Sequence, residues 1–271
     1  MGLRINTNTA AINASRVLAR SSKQLNKALE QLSSGLRINR ASDDAAGLAI
    51  AEGFNSVVRG TRVAQRNAQD GVSLMQTAEG ALSETTNILQ RMRELAVQSA
   101  NGTMTADNRA ALQAEVTQLM GQINSIASDT EFNGLRVLSA AQTLTLQAGA
   151  QAGQTLELQL SGAKAADIGV SSVSISTQAA AVSALSILDL AINSVSSLRA
   201  TLGAFQNRLE FTINTLAIQE ENSAAAESAI RDADFAKVTT EYTRTQILIS
   251  AGTSVLAQAN VVPQTALQLL G

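Results

Sequence analysis

Three carboxylate pairs are the residues in this chain whose types and spacing could do chemistry: Asp43-Asp44, Glu220-Glu221, and Asp232 with Asp234. Paired acids can share general acid–base work or hold a divalent cation. Each pair also has a plainer reading. Asp43 and Asp44 follow Ser42 where a helix begins, and negative charge is favoured in a first turn by the helix dipole. Glu220-Glu221 lies within a helical pattern, where it reads as a solvated face. Asp232 and Asp234 lack a third and fourth ligand at loop spacing, and read as caps for a last helix.

Nothing stands beside these acids to complete a catalytic set. The chain has no histidine and no cysteine. That removes the commonest general base, the commonest zinc ligands and thiolate chemistry. No glycine-rich phosphate loop ending in Lys-Ser/Thr is present, and no G-x-S-x-G elbow. Asn13-Ala14-Ser15 and Asn101-Gly102-Thr103 fit the short N-glycosylation pattern. The expectation is no enzyme: no catalytic residue, no metal site and no cofactor.

Composition points to an elongated helical protein. Of 271 residues, 2% are aromatic, so the large buried rings of an ordinary core are missing. Charged residues are 15%, against about 25% in average soluble domains. Ala, Ser, Thr, Asn and Gln take their place. An isolated coiled coil normally carries Glu and Lys outside, so an outer face of small neutral residues suggests contact with more protein, as in a polymer. The formal net charge of −2, with no basic run, argues against nucleic acid. No run of eighteen apolar residues is seen, so no membrane insertion is expected. The first twenty residues lack the apolar core of a cleavable signal peptide, so secretion would use another route.

The chain is organised around Leu32–Ile50. Leu25, Leu29, Leu32 and Leu36 follow the four-three-four spacing of a helical seam leading into it. Gly35 suits a left-handed helix stop, and Ser42 suits the next helix's cap. Arg37, Arg40, Asp43 and Asp44 crowd four charges between the two. This is a loop between helices, or a joint between two layers of an assembly.

Further along, a first helix is predicted within Leu3–Arg40, with Ile5, Ile12, Leu18, Leu25 and Leu32 along it. A second runs from about Asp44 to Ser99. It carries Leu82, Leu89 and Ala96 seven apart and Ile88, Met92 and Leu95 at four-three spacing. Gly53, Gly60, Gly71 and Gly80 interrupt it, marking either close neighbours or a local break. Thr105 caps a third helix whose seam is Leu112, Val116, Leu119, Ile123 and Ile126, folded back antiparallel. Asn133-Gly134 is a turn. Alternation at Leu144, Leu146, Leu156, Leu158 and Leu160 predicts a β-hairpin near 143–160, with a short third strand at Val173 and Ile175. From about Gln178, Leu188, Val195, Leu202, Leu209 and Leu216 recur by sevens, which implies left-handed supercoiling. Val238, Tyr242, Ile249, Leu256 and Ala259 lie on a last helix, with Pro263 permitting a break or kink near its end.

The terminal motifs then carry a resemblance. INTNTAAINA, LSSGLRINRASDDAAGLAIAEGF, QRMRELAVQSANGTMTADNRAALQAEVTQL and DTEFNGLRVLS, followed by LGAFQNRLEF, IRDADFA and AGTSVLAQANVVPQTALQLLG, resemble the bacterial flagellins. The likeness covers nearly all of the chain. It implies a mainly α fold, with long antiparallel coiled-coil helices from both chain ends and a small β-hairpin insert. It implies an inner domain of 1–41 and 232–271, linkers included, and an outer-tube domain of 42–231. Only about forty residues separate Ser139 from Gln178, so a large surface insert is not expected.

By the same resemblance the chain is a structural subunit that polymerises with itself into the flagellar filament used for swimming. Secretion through the flagellar type III apparatus to the extracellular filament follows. So do partners: an export chaperone on the C-terminal segment, filament cap and hook-junction proteins, and an animal toll-like receptor reading Arg91, Leu95 and Glu115. Subunit packing is the plainer role for those three residues. Arg37, Arg40, Asp43, Asp44, Asp232 and Asp234 become candidate inter-layer and subunit contacts. The alternatives are a hook–filament junction protein and a non-flagellar signalling coiled coil.

Overall fold

The computed structural model describes residues 7–268, with side chains through 261. Its elements in chain order are α1 (Thr9–Ser34), α2 (Ala45–Ser99), α3 (Ala106–Asp129), β1 (Glu131–Phe132), β2 (Leu135–Arg136), β3 (Gln142–Gln147), β4 (Thr155–Leu160), α4 (Gln178–Arg231) and α5 (Phe235–Gln268). The chain divides into two compact units. Unit 1 comprises residues 1–56 and 222–271, and unit 2 comprises 57–221. The fold is mainly α, with two small antiparallel two-stranded sheets.

Unit 1 is built on α1 and α5. The Asn8 side-chain amide donates to the Ala259 carbonyl, and Leu18 lies opposite Gly252. Positions that rise along α1 therefore meet positions that fall along α5, so the pair is antiparallel. Among the described residues, the fully covered side chains on these two helices are small: Ser21, Ala28 and Thr245. Small residues let two backbones approach closely, at the cost of burying little apolar surface. The leucine seam is correspondingly shallow. Leu25 and Leu32 are half-buried, Leu29 is exposed, and Leu36 lies beyond the helix end. The predicted seam therefore loses Leu29 and Leu36. The bottom of the groove is instead filled by Ser21 and Ala28, one heptad apart. Ile5 and Leu3 lie outside the described residues. α5 runs on through Pro263 to Gln268.

Unit 2 packs α2, α3 and α4 around one core. On α2, Met75, Leu82, Leu89 and Ala96 are fully buried and spaced by sevens, as are Ala78, Thr85, Met92 and Ser99 three residues on. Both stripes of a heptad seam are thus filled. Leu188, Val195, Leu202 and Leu209 line α4, with Leu216 one heptad further, and all are buried. An 18-residue window of α4 has a mean hydropathy of 1.5, which by length and composition could cross a membrane. In this fold its apolar seam packs against protein. Val116 and Ile123 supply the seam of α3, with Leu112 and Leu119 half-buried beside them. Arg91 meets Glu115, and Arg109 reaches the Ser99 carbonyl, so α3 returns antiparallel along α2.

The glycines of α2 do not break it. Gly60 faces Ala150 and Gly71 faces Leu146 and Leu209, whereas Gly53 and Gly80 face open space. The hairpin β3–β4 pairs Gln142 with Leu160 through Gln147 with Thr155. Asn133 and Gly134 both have positive φ, 51° and 78°, and turn a second, two-residue hairpin, β1–β2.

The third strand at Val173 and Ile175 does not form. These residues are buried in irregular chain, because side chains take the hydrogen bonds that a neighbouring strand would take. Gln113 Oε1 accepts from the Ile175 N–H at 2.6 Å, and the Ser99 hydroxyl donates to the Ile175 carbonyl at 2.6 Å.

Candidate functional site

The charged joint of unit 1 is assembled from both ends of the chain. Gly35, with φ of 73°, stops α1, and its N–H closes on the Gln31 carbonyl. Residues 35–37 then pair antiparallel with 231–233. Arg37 N–H donates to the Arg231 carbonyl at 2.6 Å, Ala233 N–H donates to the Gly35 carbonyl at 2.9 Å, and Leu36 bridges Asp232. The Arg37 guanidinium adds a hydrogen bond to the Ile230 carbonyl, which α4 leaves without a partner at its C-terminal end.

On the other side of the loop, Asp44 rather than Ser42 caps α2. Its Oδ1 accepts from Gly47 N–H at 2.9 Å, and no acidic residue lies in the first turn. Gly47 is required here, because a Cβ would stand 2.3 Å from that Asp44 carboxylate and 2.9 Å from buried Ile38. Asp234 caps α5, accepting from Ala236 and Lys237 N–H. Asp232 instead accepts from the Ser228 hydroxyl at 2.6 Å.

Within unit 1 the four charges of the joint find partners outside their own cluster. Arg40 pairs with Glu30 at 2.8 Å, and Asp43 pairs with Lys27 at 2.8 Å. The hydrogen bond from Lys27 holds the Asp43 carboxyl below the usual carboxylate range, assisted by the Arg40 and Asn39 backbone N–H groups. Behind the joint, Arg231 reaches Glu52 at 3.1 Å, and Asn55 donates to Glu227 at 3.0 Å. Lys27, Glu30, Asn39, Glu52, Asn55 and Glu227 escape sequence reasoning. Their partners lie up to 179 residues away, and nothing local marks them.

In unit 2, Arg91 bonds Glu115 through Nε and Nη2, at 3.1 and 3.0 Å, and Glu94 through Nη1 at 3.1 Å. These hydrogen bonds, Glu94's first, raise the already high pKa of the guanidinium. Leu95 departs from the expected receptor surface. It is 1% exposed, facing the core while Arg91 and Glu115 face out. Arg93 pairs with Asp189, Arg62 with Glu220, and Arg199 with Glu79, so α2 and α4 are laced antiparallel by exposed ion pairs. Each such pair is worth little in water.

A groove of about 630 Å³ lies in unit 2 between the hairpin and α4, against Leu156, Arg208, Phe211 and Leu216. Among the described residues no group of three or more acidic side chains is placed to hold a metal ion. The arrangement can clamp chain ends and present faces to other protein.

Comparison with known proteins agrees with that architecture. The family described as the bacterial flagellin N-terminal helical region matches residues 5–143, and the bacterial flagellin C-terminal helical region matches 185–270. A flagellin of Halalkalibacterium halodurans is 49% identical over 98% of this chain and 99% of its own length. A flagellin of Bacillus subtilis is 44% identical over 99% and 100%. A solved structure of a putative flagellar hook-associated protein from Vibrio parahaemolyticus superposes with a TM-score of 0.59 at 14% identity, over 70% of this chain and all of that one. At that identity it speaks to the fold alone.

Proposed function

The chain belongs to the bacterial flagellin family and is a structural subunit of the flagellar filament, and from that premise we propose how it assembles. Flagellins are structural proteins, and we assign this chain no catalytic role. Hook–filament junction and signalling coiled-coil roles are not favoured. The filament is extracellular, so the chain is exported, and we assign that export to the flagellar type III route.

Unit 1 completes its fold on neighbouring subunits. The observation that carries this is the apolar surface left on the paired chain ends. Ile12 is 62% exposed, Val17 53%, Ile247 63% and Val255 59%. A soluble helix pair normally turns such side chains inward and charges outward. Here the deepest positions are taken by small residues, and these four large ones point out. Two neighbours could cover them. A lone pair of helices cannot.

We place the functional boundary between inner and outer layers at 41/42 and 231/232, so that Arg37, Arg40, Asp43, Asp44, Asp232 and Asp234 fall at the junction. An export chaperone would take the C-terminal segment, whose exposed apolar residues need cover before assembly. Contacts with cap and hook-junction proteins belong to the same reading. An animal toll-like receptor would meet Arg91 and Glu115, but not Leu95.

Seeded growth tests the assembly. Purified full chain added to sheared fragments of its own filament should extend them into long filaments under electron microscopy. Growth arrested at short rings would favour a junction role. Chains lacking 1–41 or 232–271 should not extend seeds, and efficient growth from either would overturn the mechanism.

A further inference from the structure

Unit 2 carries a ridge and a hollow that its own side chains leave unfilled. The ridge is on α4. Leu202, Leu209 and Leu216 face the core, while Ala204, Phe211 and Ile218 stand two residues further on. Two residues are about 200° around a helix, so this second sevenfold stripe faces away from the first. Phe211 is 72% exposed, the most exposed large apolar side chain among the described residues, and Ile218 is 61% exposed. Arg208 lies one turn before Phe211, on the same face. Like Arg59, Arg66, Arg109 and Arg136, it has no ion-pair partner among the described residues.

The hollow lies between α2 and α3, about 390 Å³, against Gly80, Ala81, Glu84, Ile126 and Asp129. A Cβ added at Gly80 would meet nothing within 4 Å, so the floor is open rather than packed. Glu84 and Asp129 are exposed on its rim, and neither is paired among the described residues. An exposed ring beside an unpaired cation thus matches an unfilled floor beside two unpaired carboxylates.

We propose that the Phe211–Arg208 ridge of one copy seats in the Gly80 hollow of the next, with Phe211 on the glycine floor and Arg208 against Glu84 and Asp129. The two patches differ, so the contact is heterologous. It leaves a free ridge and a free hollow at the ends of every chain of copies, as an open polymer requires. The matched charges set register, and the ring fills the space. This rests on the filament-subunit reading and names one contact within it.

The test is seeded elongation of full-length chain, followed by light scattering and electron microscopy. Arg208→Glu should slow elongation by about tenfold, and so should Glu84→Arg, since each sets like charges together. Combining the two restores opposite charges between positions 208 and 84, leaving only Asp129 opposed, and should bring the rate above that of either single variant. Gly80→Leu, which fills the hollow without altering charge, should slow growth as the single reversals do. All four variants should melt as the unaltered monomer does, or slightly above it for Gly80→Leu. Elongation of Arg208→Glu at the original rate would overturn the contact, as would a double variant no faster than either single one. If the unaltered chain itself fails to extend seeds, the filament reading falls first.

Discussion

Alanine at Gly80 should stabilise unit 2, and alanine at Gly60 should leave it unchanged or destabilise it, although both glycines lie inside the same helix. The gain common to both is helix propensity, about 0.8–1.0 kcal/mol for glycine to alanine. At Gly80 nothing opposes it, because an added Cβ meets no atom within 4 Å. At Gly60 the new Cβ would stand 2.9 Å from the Ala150 Cβ and 3.3 Å from its Cα. That is a backbone contact, which cannot turn aside as the end of a long side chain can. Overpacking of this kind costs about 1–3 kcal/mol, leaving Gly60→Ala between neutral and about 2 kcal/mol worse. For a unit of this size about 1 kcal/mol moves the melting temperature by roughly 2–4 °C. Circular dichroism melts of the full chain, read at the unit 2 transition, should show Gly80→Ala about 2–4 °C higher and Gly60→Ala unchanged or lower. If Gly60→Ala gains as much as Gly80→Ala, Ala150 yields freely, and close approach is not the reason for glycine there.

Two further outcomes follow from buried and paired groups. Leu209→Asp places a charge at a position 0% exposed, and should cost unit 2 about 3–5 kcal/mol in denaturant unfolding; an unchanged midpoint would show that the α4 stripe is not core. Asp43→Asn should loosen the joint at neutral pH. The folded pKa of Asp43 lies below its unfolded value, so its stabilisation is present above the unfolded pKa and is lost as pH falls through the folded one. Hydrogen exchange of the 35–47 amides should therefore differ between variant and parent at neutral pH and converge in acid; a difference that persists in acid would refute the Lys27 pairing.

Much of unit 2 is legible in the sequence because its signals are local. The sevenfold run from Leu188 to Leu216, the Thr105 cap and the Asn133-Gly134 turn each depend on neighbours within one or two turns. What is not legible depends on residues brought in from a distance. Ser42, Asp43 and Asp44 are all plausible caps, and Asp44 takes the role where buried Ile38 packs against Gly47. Val173 and Ile175 alternate like a strand, but Gln113 and Ser99 satisfy the backbone there from 62 and 76 residues away. The leucine spacing of α1 is also visible, yet it does not reveal that Ser21 and Ala28 take the deepest positions. Small residues can be core when two backbones come close, and spacing alone cannot distinguish that from a polar surface. At the joint, the crowding of charge is plain while its partners are not: Arg37 finds the end of α4, 193 residues on.

That separation bears on the order in which the protein can form. Asn8 meets Ala259 across 251 residues, and closing a loop of that length in an open chain costs roughly 5 kcal/mol of entropy. Every contact inside the hairpin or between α2 and α3 closes a far shorter loop. Fast local pairing should therefore build the hairpin and the α2–α3 pair first, while α1 waits for a partner encoded at the other end of the chain. A molecule emerging N-terminus first cannot complete its terminal helix pair until nearly all of it has arrived. The adhesive part is thus the last to take shape, and a truncated chain would carry α1 without the partner it needs.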